Sequence, residues 1–187
     1  MVKRCLFFCV GNEVRKITTE IPWDMGAMEV NKQMYIKQVY ETALPSLLPC
    51  EEVSIASPIF KNRSLCINFI KSPEGVSIQR IWKAMDQMEI DRGTSFKPGV
   101  FEYVYLYCLT EEQVFYALHI RTFSDMFYNP DKPYHTNAIA LCALQLLNKQ
   151  DKLDYLEDIN KFSEWFLCNI GTIREYVPER DEYLFRS

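Results

Sequence analysis

Lys3-Arg4-Cys5-Leu6-Phe7-Phe8-Cys9-Val10-Gly11-Asn12-Glu13-Val14-Arg15-Lys16-Ile17-Thr18-Thr19-Glu20-Ile21 is the stretch on which the fold turns. Cys5 to Val10 is an unbroken apolar run, too short for a secretory signal, and it reads as a buried first strand. Gly11-Asn12 follows it. A two-residue hairpin loop needs positive φ at its turn positions, and Gly and Asn reach that region at least cost. The stretch therefore predicts two strands, residues 3–10 and 13–21, joined by a tight turn.

Outward from the hairpin the spacing changes. From Asn31 the apolar positions are Ile36, Val39, Tyr40, Ala43 and Leu44, steps that mark one helical face, and Pro45 ends it. Val53-Ser54-Ile55-Ala56 and Leu65 to Ile70 read as two further short strands. Ser72-Pro73-Glu74-Gly75 is a turn. Ser77 is placed to cap a helix over 76–88, with Ile78, Ile81, Trp82, Met85 and Met88 on one face and Arg80, Lys83 and Gln87 on the other. Val100 to Leu109 could be strand or helix, and the spacing of Phe101, Val104, Tyr105, Cys108 and Leu109 favours helix. Thr110-Glu111-Glu112-Gln113 is a capping box that starts a helix reaching about Ile120. Phe123 to Pro133 is expected to be a loop. Thr136–Lys149 and Asp154–Cys168 read as helices, the second with Leu156, Ile159, Phe162 and Phe166 inward. Strands come early and helices late, with no repeat or linker. The pattern predicts an α+β fold: a single domain over 1–187, with a small sheet from the N-terminal half packed against helices.

Composition sets the outer bounds. The chain has 187 residues, 48% of them hydrophobic and 25% charged, with 12 Phe, 11 Tyr and 3 Trp. That much ring area builds a sizeable core and excludes intrinsic disorder. No stretch approaches the roughly 18 apolar residues of a membrane span. The seven cysteines are odd in number, contain no Cys-x-x-Cys pair, and could be joined only by His119 and His135. The expectation is reduced thiols in the core of a cytoplasmic protein, with no structural metal and no cofactor. Formal net charge is −4 but uneven: residues 61–83 carry five bases against one acid, and residues 151–187 nine acids against five bases. A basic middle suits a phosphate-bearing ligand or simply a solvated face.

No Gly-rich phosphate loop, metal motif or nucleophile motif is present. The chemistry-bearing candidates are polar residues set among apolar ones. Asn68, inside Leu65–Ile70, either holds a ligand or ties down a neighbouring backbone. Asp125 stands among Phe123, Phe127 and Tyr128, ahead of Asn129-Pro130. Its carboxylate is either part of a turn or a poorly solvated acid–base group. Lys83 follows Trp82 and is either solvated or a screened amine able to act as a nucleophile. Glu102, among Phe101, Tyr103 and Tyr105, either forms an ion pair or orients a ligand hydroxyl.

The order of several motifs resembles a known family. They are Val10-Gly11-Asn12-Glu13-Val14, Gly26-Ala27-Met28 with Lys32-Gln33, Leu65-Cys66-Ile67-Asn68-Phe69, Phe101-Glu102-Tyr103-Val104-Tyr105, and Phe123-Ser124-Asp125-Met126-Phe127-Tyr128-Asn129-Pro130 with Asn137. Over about residues 3–150 the chain resembles the NADAR proteins, in the branch encoded beside DarT-type DNA ADP-ribosyltransferase toxins. The resemblance implies an α+β N-glycosidase that removes ADP-ribose from guanine in DNA, acts as an antitoxin beside a toxin partner, and needs no metal. It implies Lys83 and Asp125 as catalytic residues, and Asn68, Trp82, Glu102, Asn129 and Asn137 as ligand-binding residues. Val76 stands where the resemblance expects a helical Glu. A catalytically silent relative that binds ADP-ribose, a nucleotide signal or a partner protein is therefore the second expectation.

Overall fold

The hairpin forms where the sequence places it. β1 (Val2–Val10) and β2 (Glu13–Ile21) pair antiparallel, from Val2 opposite Ile21 to Val10 opposite Glu13. Gly11 takes a φ of 58°, but Asn12, contrary to the expectation, does not adopt a positive φ, so the turn needs glycine's freedom only at its first position. The structure, a computed structural model, describes residues 2–22, 50–54, 65–125, 128, 130–131 and 136–177. The helix expected between Asn31 and Pro45 lies outside them.

Three more strands complete the sheet: β3 (Cys50–Glu52), β4 (Thr122–Ser124) and β5 (Arg174–Glu175), in the spatial order β3-β4-β1-β2-β5. β4 runs antiparallel to β1, whereas β3 is parallel to β4 and β5 is parallel to β2. Three expectations are corrected here. β3 begins three residues before the strand expected at Val53–Ala56, of which Ile55 and Ala56 lie outside the described residues, and Val53 extends the ladder by donating its N–H to the Ser124 carbonyl at 2.9 Å. The loop expected from Phe123 yields its first residues to β4, because Phe123 gains a fully buried place between β1 and β3. Leu65–Ile70 is a turn rather than a strand. The Phe69 N–H folds back to the Cys66 carbonyl at 2.9 Å, leaving Asn68 and Phe69 exposed.

Five helices pack with this sheet among the described residues: α1 (Ile78–Arg92), α2 (Val100–Tyr107), α3 (Glu111–His119), α4 (Asn137–Lys149) and α5 (Ile159–Ile170). α4 is the central one, with 10 of its 13 residues buried. A helix apolar on every side needs cover on every side. β1 and β4 supply it from the sheet, and α2 and α3 from the helices. The capping box holds: the Gln113 N–H donates to Thr110 Oγ1, and the Thr110 N–H donates to Gln113 Oε1. Ser77 stands at the α1 N-cap but makes no side-chain capping bond. α1 buries only Ile78 fully, and Met88 is 39% exposed, so its apolar face is only partly covered.

The helix expected over 154–168 is divided. Leu153–Glu157 is a 3-10 turn, and the Asp158 carboxylate then caps α5 by accepting from the Asn160 and Lys161 N–H groups. An Asp that bonds its own downstream backbone favours a cap over a helix interior. Phe162 and Phe166 are buried as expected, Leu156 is partly buried, and Ile159, expected inward, is exposed at the start of α5. The whole is an α+β arrangement in one compact unit, but the sheet is not confined to the N-terminal half as expected, since β4 and β5 come from the C-terminal half. Among the described residues no helix is long and apolar enough to cross a membrane. All seven cysteines are free, and Cys5, Cys50, Cys66 and Cys142 are buried.

Candidate functional site

β3 and β4 lie in parallel register, Glu52 opposite Ser124, and both end at the same edge of the molecule. The carboxyl ends of parallel strands are where backbone turns away and side chains of adjacent strands converge on open space. Glu52 and Asp125 come near enough there for the Asp125 charge to act on the Glu52 carboxyl. Ser54 donates its N–H to Glu52 Oε1 at 2.7 Å and its hydroxyl to the same oxygen, while the Ser124 hydroxyl donates to Oε2 at 2.6 Å. Burial and then the charge of Asp125 push the Glu52 carboxyl up to about 7, against the pull of the serine hydrogen bonds. Glu52 as a residue is half-buried, while both oxygens of its carboxyl are engaged by the serine donors.

Asp125 is buried at 6% exposure. The Thr136 hydroxyl donates to its Oδ2, and the Tyr128 N–H donates to its Oδ1 at 3.1 Å. The same Thr136 oxygen accepts the Ala138 N–H at 3.2 Å and so caps α4. One threonine thus fixes both the start of the core helix and the orientation of the carboxylate. Next to it, Asn137 donates to the carbonyls of Val53 at 2.7 Å and Leu65 at 3.2 Å. The Tyr105 hydroxyl donates to Leu65 as well, at 2.6 Å. Cys66 adjoins this cluster. Burial and the charges of Glu52 and Asp125 raise its thiol, while the Asn68 backbone N–H lowers it. Burial also pushes the Cys50 thiol up to about 12, so it is not a nucleophile at neutral pH.

The sequence-derived candidates separate into groups. Asp125 lies at the heart of the cluster. Asn137 is there too, but its amide is committed to backbone carbonyls, so it positions chain rather than presenting a free donor. The Asn68 side chain is exposed, and only its backbone reaches the cluster, through Cys66. Lys83 is not brought to Asp125. It lies exposed on the outer side of α1, and its side chain makes no hydrogen bond or ion pair among the described residues. Trp82 turns the other way, donating its indole N–H to the Phe101 carbonyl at 3.2 Å and packing edge-on against that ring. Trp82 is therefore a strut between α1 and α2. Asn129 lies outside the described residues. Glu102 is buried and lines a separate cleft of about 500 Å³ together with Tyr128. Among the described residues no three His, Cys, Asp or Glu side chains gather as a metal site.

Glu52, Ser54, Ser124 and Thr136 are the members that sequence reasoning missed. In the sequence Glu51-Glu52 is an ordinary charged pair. Its flanks, Cys50 and Val53, were the available signal, since two acids between buried apolar residues must sit at least partly in the interior. Strand alternation then sends the two acids to opposite faces. Glu51 accepts from the Tyr116 hydroxyl at 3.0 Å, with its carboxyl raised by burial, and Glu52 turns to the Asp125 side.

No protein-family model matches the chain, and no curated protein matches it in sequence.

Proposed function

We propose that the chain is an N-glycosidase of the cytoplasm that releases ADP-ribose from guanine in DNA, with Glu52 and Asp125 as its acid and its charge-stabilising carboxylate. The motif order that resembles the NADAR proteins supports the substrate class. The observation that carries the chemistry is that two carboxyl groups at the ends of β3 and β4 lie near enough for the charge of one to act on the other, which is held near neutrality.

Glycosidic cleavage builds positive charge on the sugar ring and negative charge on the departing group. A carboxylate fixed by the Thr136 hydroxyl and the Tyr128 N–H can stabilise the first without having to reorganise. A carboxyl with a pKa of about 7 is protonated in a substantial fraction at neutral pH and can give its proton to the leaving nitrogen. Water then adds to the anomeric carbon and returns a proton to Glu52, so the acid is regenerated. Lys83 has no role in this scheme, which uses no amine nucleophile.

Incubation with DNA carrying guanine-linked ADP-ribose, followed by detection of free ADP-ribose, tests the reading. Wild type should release it. Asp125→Asn and Glu52→Gln should each lower the rate by about 10²–10⁴. Binding of ADP-ribose without release would instead identify the silent relative anticipated from Val76, and neither binding nor release would leave an interaction protein.

A further inference from the structure

β1 and α4 meet through a pair of thiols. Strand alternation sends Cys5, Phe7 and Cys9 to one face of β1, and α4 packs on that face. Cys9 is half-buried near the hairpin end of the strand, and Cys142 is fully buried on α4. The Cys9 thiol donates to the Cys142 carbonyl at 3.3 Å, which lays its sulfur against the turn of helix that carries the second thiol. The two thiols also lie within hydrogen-bonding reach of one another. Both cysteines are free.

Buried cysteines often serve only as small apolar residues. What distinguishes this pair is mutual contact combined with unequal access. Cys5 bonds the Thr18 hydroxyl and Cys50 the Ser124 hydroxyl, whereas Cys9 and Cys142 each have a thiol as neighbour. Burial, then the hydrogen bond and charge of Cys9, hold the Cys142 thiol well above its ordinary range. Cys142 therefore stays protonated and away from solvent, and Cys9 is the member that an oxidant meets first.

We propose that Cys9 and Cys142 form a peroxide-responsive pair that closes into a disulfide linking β1 to α4. The Cys9 sulfur, as thiolate, attacks one oxygen of hydrogen peroxide. The O–O bond breaks, and the hydroxide released takes up a proton and leaves as water. Cys9 is then a sulfenic acid. The Cys142 sulfur attacks the Cys9 sulfur, and the S–S bond forms as the S–O bond breaks. The Cys142 proton leaves with the hydroxyl as a second water. Two thiols lose two electrons in all, and one peroxide gains them. A reluctant thiol suffices for the second step because it is held against its target.

Hydrogen peroxide added to the folded full chain tests this, at a dose that oxidises Cys168. That thiol is exposed on α5 and so marks the action of the oxidant. Non-reducing peptide mapping should then show the Cys9 peptide joined to the Cys142 peptide, and dithiothreitol should separate them. Cys142→Ser should stop at the sulfenic acid, so that dimedone labels Cys9. Cys9→Ser should leave Cys142 a free thiol under the same dose. If Cys142→Ser fails to fold, the wild-type map and Cys9→Ser still decide. Oxidised Cys168 beside unlinked Cys9 and Cys142, or Cys9 linked to a different cysteine, would overturn the proposal. Glu52→Gln should form the link as wild type does, so this pair and the glycosidase reading fail independently.

Discussion

Glu52 makes stability depend on pH in a direction opposite to that of most carboxylates. Its carboxyl rises from the ordinary 4.5 to about 7 in the folded chain. Between those values the native protein holds a proton that the unfolded chain has released, so stability falls as pH rises through that window. The loss is complete about one pH unit above 7 and amounts to roughly 3 kcal/mol. Glu52→Gln mimics the protonated form. In urea unfolding the variant should gain on wild type at pH 8 relative to pH 4.5, and an equal difference at both pH values would rule the account out. The same titration should appear in the reaction, where ADP-ribose release falls on the alkaline side of about pH 7. Thr136 offers a second residue-scale test. Thr136→Ala removes the α4 cap and a hydrogen bond to Asp125, and should cost about 1–3 kcal/mol. Thr136→Ser should recover most of that in the same unfolding assay.

Helix capping and turn geometry decide matters at the scale of elements. Thr110 and Ser77 both occupy N-caps, but only Thr110 makes a side-chain capping bond. Thr110→Ala should therefore destabilise by about 1 kcal/mol, and Ser77→Ala by clearly less, as read from paired chemical denaturation curves. The hairpin and the capping box were legible in the sequence because both are local: a few adjacent residues satisfy their own backbone groups. Leu65–Ile70 was misread for the opposite reason. Its apolar residues resemble a strand, yet Leu65 and Cys66 are buried by distant partners, Tyr105 and Asn137 binding the Leu65 carbonyl, while Asn68 is left outside. The helix expected from Asp154 was divided because Asp158 caps more favourably than it continues.

On the scale of the whole molecule, Phe123 joins the two halves of the sheet. β4 lies between β1 and β3, and Phe123 is fully buried at its centre. Phe123→Ala should cost about 3–5 kcal/mol and, by loosening β3 on β4, disperse Glu52 from Asp125. Restoring global stability with an osmolyte should then leave glycosidase activity impaired, whereas full recovery would show that β4 does not position the pair. The sequence by itself determined the α+β class, the hairpin and the helix order, since each follows from local spacing and composition, and it left Asp125 open between a turn residue and a poorly solvated acid. Only the tertiary structure decided that Glu52 is Asp125's partner, that Lys83 faces outward on α1, and that Glu102 lines a cleft with Tyr128. The pairing of β3 with β4 joins residues about 70 positions apart, and the environment that raises Glu52 exists only once that contact has formed.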